Sequence, residues 1–160
     1  MYARLEPHQF APSNELCQCK DTPLKLMSTL SAYPLHCMTC HHDVPTRNLA
    51  LSPRVAGALA DWQHSYDALD WLWLEAGSYE QWAREQLADL GSAANMRGRL
   101  VQQAINRLRR CYYWYFQDQT LPDFQPITAC PVCGETMQPY SWGTYAQRVC
   151  ERDSIVTIGD

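Results

Sequence analysis

Two sets of closely spaced cysteines constrain this 160-residue chain more than any other feature. The C-terminal set begins with Cys130-x2-Cys133 and a following glycine, a tight turn that presents two thiolates to one zinc ion. Sixteen residues separate Cys133 from Cys150, enough for a strand, a turn and a returning strand. Asp153 stands where a fourth cysteine would complete the second pair. Because a carboxylate can bind zinc, the pattern predicts a Cys3Asp zinc ribbon. The alternative is a degenerate site in which Asp153 is only a surface residue.

The N-terminal set consists of Cys17-x-Cys19 and Cys37-x2-Cys40, with seventeen residues between Cys19 and Cys37. The second pair has the usual spacing, whereas the first has one intervening residue instead of two. The set still predicts a zinc site of four thiolates. Three neighbouring histidines could replace one thiol: His36, His41 and His42.

The cysteines also allow a joint site. Cys37, Cys40, Cys130 and Cys133 could bind a single ion and bring the two ends of the chain together. Two zinc ions per chain would support separate sites, and one would support the joint site. In either case the protein fills every coordination position, so the zinc is expected to be structural rather than catalytic.

The interpretation of the cysteines depends on the cellular compartment. Met1–Phe10 lacks a basic segment followed by an apolar one, so no secretory signal is expected. The longest apolar run, Trp71–Leu74, is far shorter than the roughly 20 residues of a membrane span. We therefore expect a cytoplasmic protein without membrane contact, and in a reducing compartment paired cysteines indicate metal rather than disulfides.

Hydrophobic periodicity predicts three helices between the cysteine sets. The first begins at a Ser52 cap followed by Pro53 and runs to about Ala76. A capping-box pattern predicts the second at Tyr79–Leu90, and the third is expected at Ala94–Gln117.

The expected fold class is therefore α+β. A small antiparallel three-helix bundle is flanked by N- and C-terminal zinc-ribbon-like β elements. The expected segments are an N-terminal zinc-binding segment at 1–52, the helical bundle at 53–118 and a C-terminal zinc ribbon at 119–160, packed as one compact unit.

Charge is segregated along the helices. Residues 53–90 carry seven acidic residues against two arginines, a net −5, whereas residues 92–118 carry five arginines against one aspartate, a net +4. Aromatic residues follow the arginines. The candidate partner-binding residues are Arg99, Arg107, Arg110, Trp71, Tyr113 and Trp114.

Several segments resemble an uncharacterised bacterial family of zinc-ribbon-containing proteins described as candidate nucleic-acid binders. The similarity lies in Leu35–Cys40, in Ala68–Ala83, and in Cys111–Phe116 with the Cys130 turn, and it extends over about residues 35–158. In the family the last ligand pair is Cys-x2-Cys, whereas this chain has Cys150 and Asp153. The resemblance implies zinc and nucleic-acid binding.

Two functional hypotheses follow. The first is a non-catalytic protein-binding module, such as a bacterial immunity or adaptor protein that masks a partner, for example a toxin. It depends on the formal charge of −4 and on the absence of a catalytic motif. The alternative is a nucleic-acid-binding zinc-ribbon protein that uses the arginine-rich third helix. The sequence does not define the oligomeric state.

Overall fold

A computed structural model of the chain describes residues 16–28 and 32–160, so the expectation for Met1–Phe10 lies outside the described residues. This described part of the chain contains three α-helices and six strands, in the order β1 (Leu24–Leu26), β2 (Leu35–Cys37), α1 (Pro53–Glu75), α2 (Glu80–Ala88), α3 (Ala93–Asn106), β3 (Cys111–Trp114), β4 (Gln138–Pro139), β5 (Gln147–Cys150) and β6 (Ile155–Ile158). Within the described ranges, no helix has the length and apolar character needed to cross a membrane.

The six strands form one mixed sheet in the order β2-β1-β3-β6-β5-β4. The neighbours β1, β3 and β6 are parallel, and the outer pairs are antiparallel. The sheet therefore combines strands from all three predicted segments. The predicted three-helix bundle flanked by separate zinc-ribbon β elements is wrong, because one continuous sheet contains strands that precede and strands that follow the helices in the sequence, and α3 packs on its central strand.

The third helix is shorter than predicted because the chain turns into the sheet. Asn106, the last residue of α3, accepts a hydrogen bond from the Cys111 N–H at 2.9 Å, and Gln102 donates to the Cys111 carbonyl. Residues 111–114 then pair with both β1 and β6. The consecutive aromatic residues predicted to continue the helix form this central strand instead, where aromatic side chains pack well.

The first helix agrees closely with its prediction. Ser52 caps α1 by accepting a hydrogen bond from the Val55 N–H, and Pro53 is its first residue. The second helix starts differently: the Ser78 hydroxyl makes no capping bond, and the Gly77 N–H donates to the Glu80 carboxylate at 3.0 Å. Gly77 has a φ of 53°, which lets the chain reverse between α1 and α2.

The core lies between the helices and the central strand. A Cβ atom at Gly98 of α3 would lie 2.4 Å from Trp62 Nε1 and 2.5 Å from Tyr113 Cε2, so only glycine permits this approach. The buried Tyr113 hydroxyl donates to the Asn95 side chain at 2.7 Å. The Asn95 amide in turn donates to three backbone carbonyls at the end of α2 and the following turn. These contacts fix α3 on β3 and leave little freedom for substitution.

Candidate metal centres

The C-terminal cluster brings together the four predicted ligands. Cys130 and Cys133 lie on the turn before β4, Cys150 ends β5, and Asp153 lies in the turn leading to β6. Their ligand atoms all lie within 4.8 Å of one another. The individual separations are 3.8 Å for Cys133 Sγ to Cys150 Sγ, 3.4 Å for Cys130 Sγ to Asp153 Oδ2 and 3.5 Å for Cys150 Sγ to the same oxygen. This cluster can hold a metal ion.

These separations can be compared with those expected around a metal ion in tetrahedral coordination. Bonds of about 2.3 Å to sulfur and about 2.0 Å to oxygen at tetrahedral angles place two sulfurs about 3.8 Å apart, and a sulfur and an oxygen about 3.5 Å apart. The observed sulfur–sulfur and sulfur–oxygen distances agree with both values. Asp153 therefore occupies the position of a fourth ligand rather than that of an unrelated surface residue.

Backbone geometry orients the first two thiols. The Val132 N–H points at Cys130 Sγ at 3.4 Å, and the Gly134 N–H donates to the Cys130 carbonyl at 2.9 Å. Gly134 has a φ of 75°, a conformation that glycine adopts without strain. This explains why glycine follows Cys133.

Full ionisation of this cluster depends on a bound cation. Burial raises the pKa of Cys150 to about 12, and the nearby thiols add to the effect. The pKa of Asp153 is lowered, chiefly by its contact with Cys133. Several thiolates at these distances repel one another unless a positive ion lies among them, so full ionisation of the cluster requires a metal.

The N-terminal cluster contains all four of its predicted cysteines. Cys17 and Cys19 precede β1, Cys37 ends β2, and Cys40 lies in the following turn; their sulfurs are all within 4.8 Å of one another. The single residue between Cys17 and Cys19 therefore does not prevent a common site. The cluster can hold a second metal ion.

Hydrogen bonds to sulfur also support the N-terminal cluster. The Cys19 N–H donates to Cys17 Sγ at 3.3 Å, and the Thr39 N–H donates to Cys37 Sγ at 3.4 Å. The Thr22 hydroxyl lies 3.1 Å from Cys37 Sγ. Burial opposes ionisation of Cys37, but the hydrogen bonds, led by that from Thr22, outweigh it and lower its pKa to about 6. Cys37 is therefore prepared to bind a cation as a thiolate.

The neighbouring histidines do not belong to this cluster. His36 pairs with Asp43 at 3.1 Å through Nδ1 and lies 3.1 Å from the Met27 carbonyl through Nε2. His41 accepts a hydrogen bond from the buried Lys25 ammonium at 2.8 Å, and His42 is exposed. None of the three is in the group of ligand atoms that includes the four cysteines.

The joint site considered from the sequence does not form. The structure places Cys37 and Cys40 in one cluster and Cys130 and Cys133 in another. The eighth cysteine, Cys111, belongs to neither cluster and is fully buried in β3, where burial raises its pKa to about 12. Strand register places both clusters at the same end of the sheet, on either side of the start of β3.

The predicted partner-binding residues differ in their accessibility. Trp71 is 51% exposed, whereas Tyr113 is only 1% exposed. Trp114 is half-buried, with the Lys25 ammonium 5.1 Å from its ring centroid. Of the arginines, Arg110 pairs with Glu151 and lies over the Tyr112 ring. Arg99 is half-buried, and Arg107 is exposed.

Two of the buried charged residues, Lys25 and Asp70, line cavities, and the sequence did not indicate them as site residues. Lys25 is 3% exposed in β1, and Asp70 is 7% exposed in α1. Asp70 lies between Leu69 and Trp73, two residues of the apolar stripe of the first helix. Its position at the edge of that stripe is the sequence feature that could have indicated a buried carboxylate. Lys25 stands between Leu24 and Leu26, and this alternating pattern would place it on the exposed face of a strand, so no local signal indicates its burial.

A protein-family comparison identifies the central part of the chain. The matching family is described as a domain of unknown function, DUF2310, and the match covers residues 23–117, more than half of the 160 residues. The chain belongs to the DUF2310 family. No curated protein and no solved structure matches it.

The DUF2310 match includes β1, β2, the three helices and β3, together with Cys37 and Cys40. Cys17, Cys19 and the complete C-terminal cluster lie outside the matched residues. The DUF2310 description names no nucleic-acid-binding activity, so that part of the resemblance is not carried by the match.

Proposed function

We propose that both clusters bind zinc, two ions per chain, and that the metal is structural. Three or four thiolates in a tetrahedral arrangement suit zinc better than the harder ions magnesium and calcium. The agreement of the C-terminal separations with a tetrahedron is the observation that carries this proposal. Because protein atoms fill all four positions, neither ion has an open position for substrate.

Metal analysis of purified protein tests the stoichiometry. We expect two zinc ions per wild-type chain and one in Cys150→Ser, because the C-terminal cluster then loses one of its ligands. Cys111→Ser is the matched control, since Cys111 is buried but lies in neither cluster, and it should retain two. One zinc in the wild type, or two in Cys150→Ser, would contradict the proposal.

We propose further that the chain is a non-catalytic protein-binding module whose contact surface is the corner between α1 and α2. Four large apolar side chains are exposed there within twelve residues: Trp71 at 51%, Leu74 at 48%, Tyr79 at 62% and Trp82 at 50%. A cluster of exposed apolar side chains is unusual on a monomer and is typical of an interaction surface. Tryptophan and tyrosine also contribute strongly to binding at interfaces.

The charges around this corner indicate the chemistry of the partner. Glu75 and Glu80 are exposed between the aromatic side chains, and residues 53–90 carry a net −5. A protein surface that combines apolar groups with lysine or arginine would complement this corner. An adaptor or immunity protein that covers a basic partner fits these properties.

The test combines partner capture with reconstitution. A protein recovered from native cells should be purified and its affinity measured against the wild type, against the double variant Trp71→Ala/Trp82→Ala, and against Trp142→Ala. We expect the double variant to lose roughly 10- to 100-fold in affinity. Trp142 is 78% exposed in the loop before β5 and provides a matched control that should bind normally. Equal affinity of all three proteins would contradict the proposed surface.

Nucleic-acid binding remains the second candidate. Arg97 and Arg107 are exposed at α3 and form no ion pair within the described ranges. Titration with single-stranded RNA and DNA at two salt concentrations distinguishes the candidates, because phosphate contacts give an affinity that falls steeply with salt. The double variant Arg97→Gln/Arg107→Gln should then reduce the salt dependence of the affinity. Binding with this behaviour would favour the nucleic-acid function over the protein-binding function.

A further inference from the structure

A cavity of about 370 Å³ lies where α1 crosses the chain segments that follow β1 and β3. Neither metal cluster contributes to it. Its walls include Tyr66 and Trp73 of α1, Met27 after β1, and Trp114 and Phe116 at and after the end of β3. The Trp73 and Phe116 rings pack edge to face at 4.9 Å, so this part of the wall is held in place by the core.

Among the described residues, the carboxylate that lines this aromatic cavity is that of Asp70. Asp70 is 93% buried, lines the cavity, and forms no hydrogen bond or ion pair with any other described residue. Burial, and then the charge of Asp67, raises the pKa of Asp70 to about 7. A buried carboxylate without a donor is unfavourable and is usually found with a partner. Nothing in the described fold provides that partner.

We propose that this cavity binds a small organic cation, a protonated or quaternary amine, with the Asp70 carboxylate as its counter-charge. The faces of tryptophan and tyrosine rings attract cations, and alkyl groups on nitrogen fit apolar walls. The arrangement of four aromatic rings and one acid provides both kinds of contact. Trp114 already contacts a cation on the side of a neighbouring cavity, where the Lys25 ammonium lies 5.1 Å from its ring centroid.

Other ligand classes fit this cavity less well. An anion would be repelled by Asp70 and by Asp67. A neutral apolar molecule would leave the Asp70 carboxylate buried without a partner, at a cost in free energy. A bare divalent metal ion is usually held by several charged oxygen ligands, whereas this cavity offers one carboxylate, and its other polar side chains are neutral: Ser28, Gln117, Gln119 and Thr120.

Calorimetric titration with choline and with n-butylammonium tests the proposal. At pH 8, in a buffer that contains no amine, at least one of these cations should bind saturably. 3,3-Dimethylbutan-1-ol has the shape of choline without its charge, and it should bind roughly 10- to 100-fold more weakly. Asp70→Asn keeps the size of the side chain and removes the charge, so it should weaken cation binding by a similar factor.

Control measurements show whether the cation binds in this cavity, and some of their outcomes would contradict the proposal. Asp61→Asn removes an exposed carboxylate from the same helix and should bind the cation as the wild type does. The indole N–H signals of Trp73 and Trp114 should shift during the titration, whereas that of the exposed Trp142 should not. The proposal is overturned if neither cation binds up to tens of millimolar. It is also overturned if Asp70→Asn binds as tightly as the wild type, or if the neutral alcohol matches choline.

Discussion

Replacing Asp70 with asparagine should stabilise the protein, and the gain should increase with pH. The substitution preserves the shape of a buried side chain that lacks a donor, and it removes the possibility of ionisation. In the folded protein, the pKa of this carboxyl is raised from its ordinary value of 3.8 to about 7, first by burial and then by Asp67. Ionisation therefore favours the unfolded chain.

The sign and size of the effect follow from this pKa difference. Below about pH 4 the carboxyl is protonated in both states and contributes nothing. Between pH 4 and pH 7 the unfolded chain releases its proton and the folded chain retains it, so the wild type loses stability, and above pH 7 the loss is constant. A shift from 3.8 to about 7 corresponds to about 4 kcal/mol in total, of which about 2 to 3 kcal/mol develops between pH 5 and pH 8.

Urea denaturation followed by tryptophan fluorescence measures this difference. Wild type and Asp70→Asn should be compared at pH 5, 6, 7 and 8 with equal free zinc, in sodium phosphate–citrate buffer without amines. Metal effects are common to both proteins and cancel. The two tyrosines whose charge would act on Asp70, Tyr66 and Tyr113, have pKa values raised by burial and stay neutral over this range. A stability difference that does not change with pH, or that favours the wild type as pH rises, would refute the reasoning.

Further predictions concern packing and the metal. Gly98→Ala should cost about 1 to 3 kcal/mol in unfolding free energy because its Cβ would lie within 2.5 Å of Trp62 and Tyr113. Gly57→Ala, in the open on α1, should gain about 0.5 to 1 kcal/mol, and a loss at both positions would contradict this account. Asp153→Cys should retain the C-terminal zinc at higher chelator concentrations than the wild type, because a thiolate replaces a harder oxygen ligand. Earlier zinc loss in a chelator titration would exclude Asp153 as a ligand position.

The cysteine clusters could be predicted from the sequence, because two ligands on one tight turn require a fixed number of residues between them. A two-residue gap between cysteines, followed by glycine, defines the turn at Cys130, and the same gap occurs at Cys37-x2-Cys40. Spacing alone does not assign each pair to its partner, since it also allows the joint site as an alternative to two separate sites. The sheet decides it: the register of β1 with β2 and of β5 with β6 separates the two clusters.

The central strand could not be identified in the same way. Residues 111–115 continue the apolar pattern of α3. Cys111 and Tyr115 keep the three- to four-residue spacing of apolar side chains that is typical of a helix, so the sequence alone predicts that the helix continues. Their aromatic character and the Asn106 side chain favour a change to strand, but the decisive interactions are parallel pairings with β1 and β6. These partners are about 85 and 40 residues away in the chain, and local periodicity carries no information about such pairings. For the same reason the cavity, which depends on β1 and β3 being neighbours, was not predictable.

The metal clusters and the cavity lie at opposite ends of the parallel strands, which favours a structural role for the first end and a binding role for the second. The metal clusters lie at the amino ends of the parallel strands β1, β3 and β6. The cavity is formed by Met27, Trp114 and Phe116, where β1 and β3 end, with α1 crossing above them. In parallel sheets, ligands commonly occupy crevices beyond the carboxyl ends of the strands, because the connections diverge there. The metals would thus fix one end of β1 and β3, and a cation bound in the cavity would compensate the buried Asp70 carboxylate at the other end.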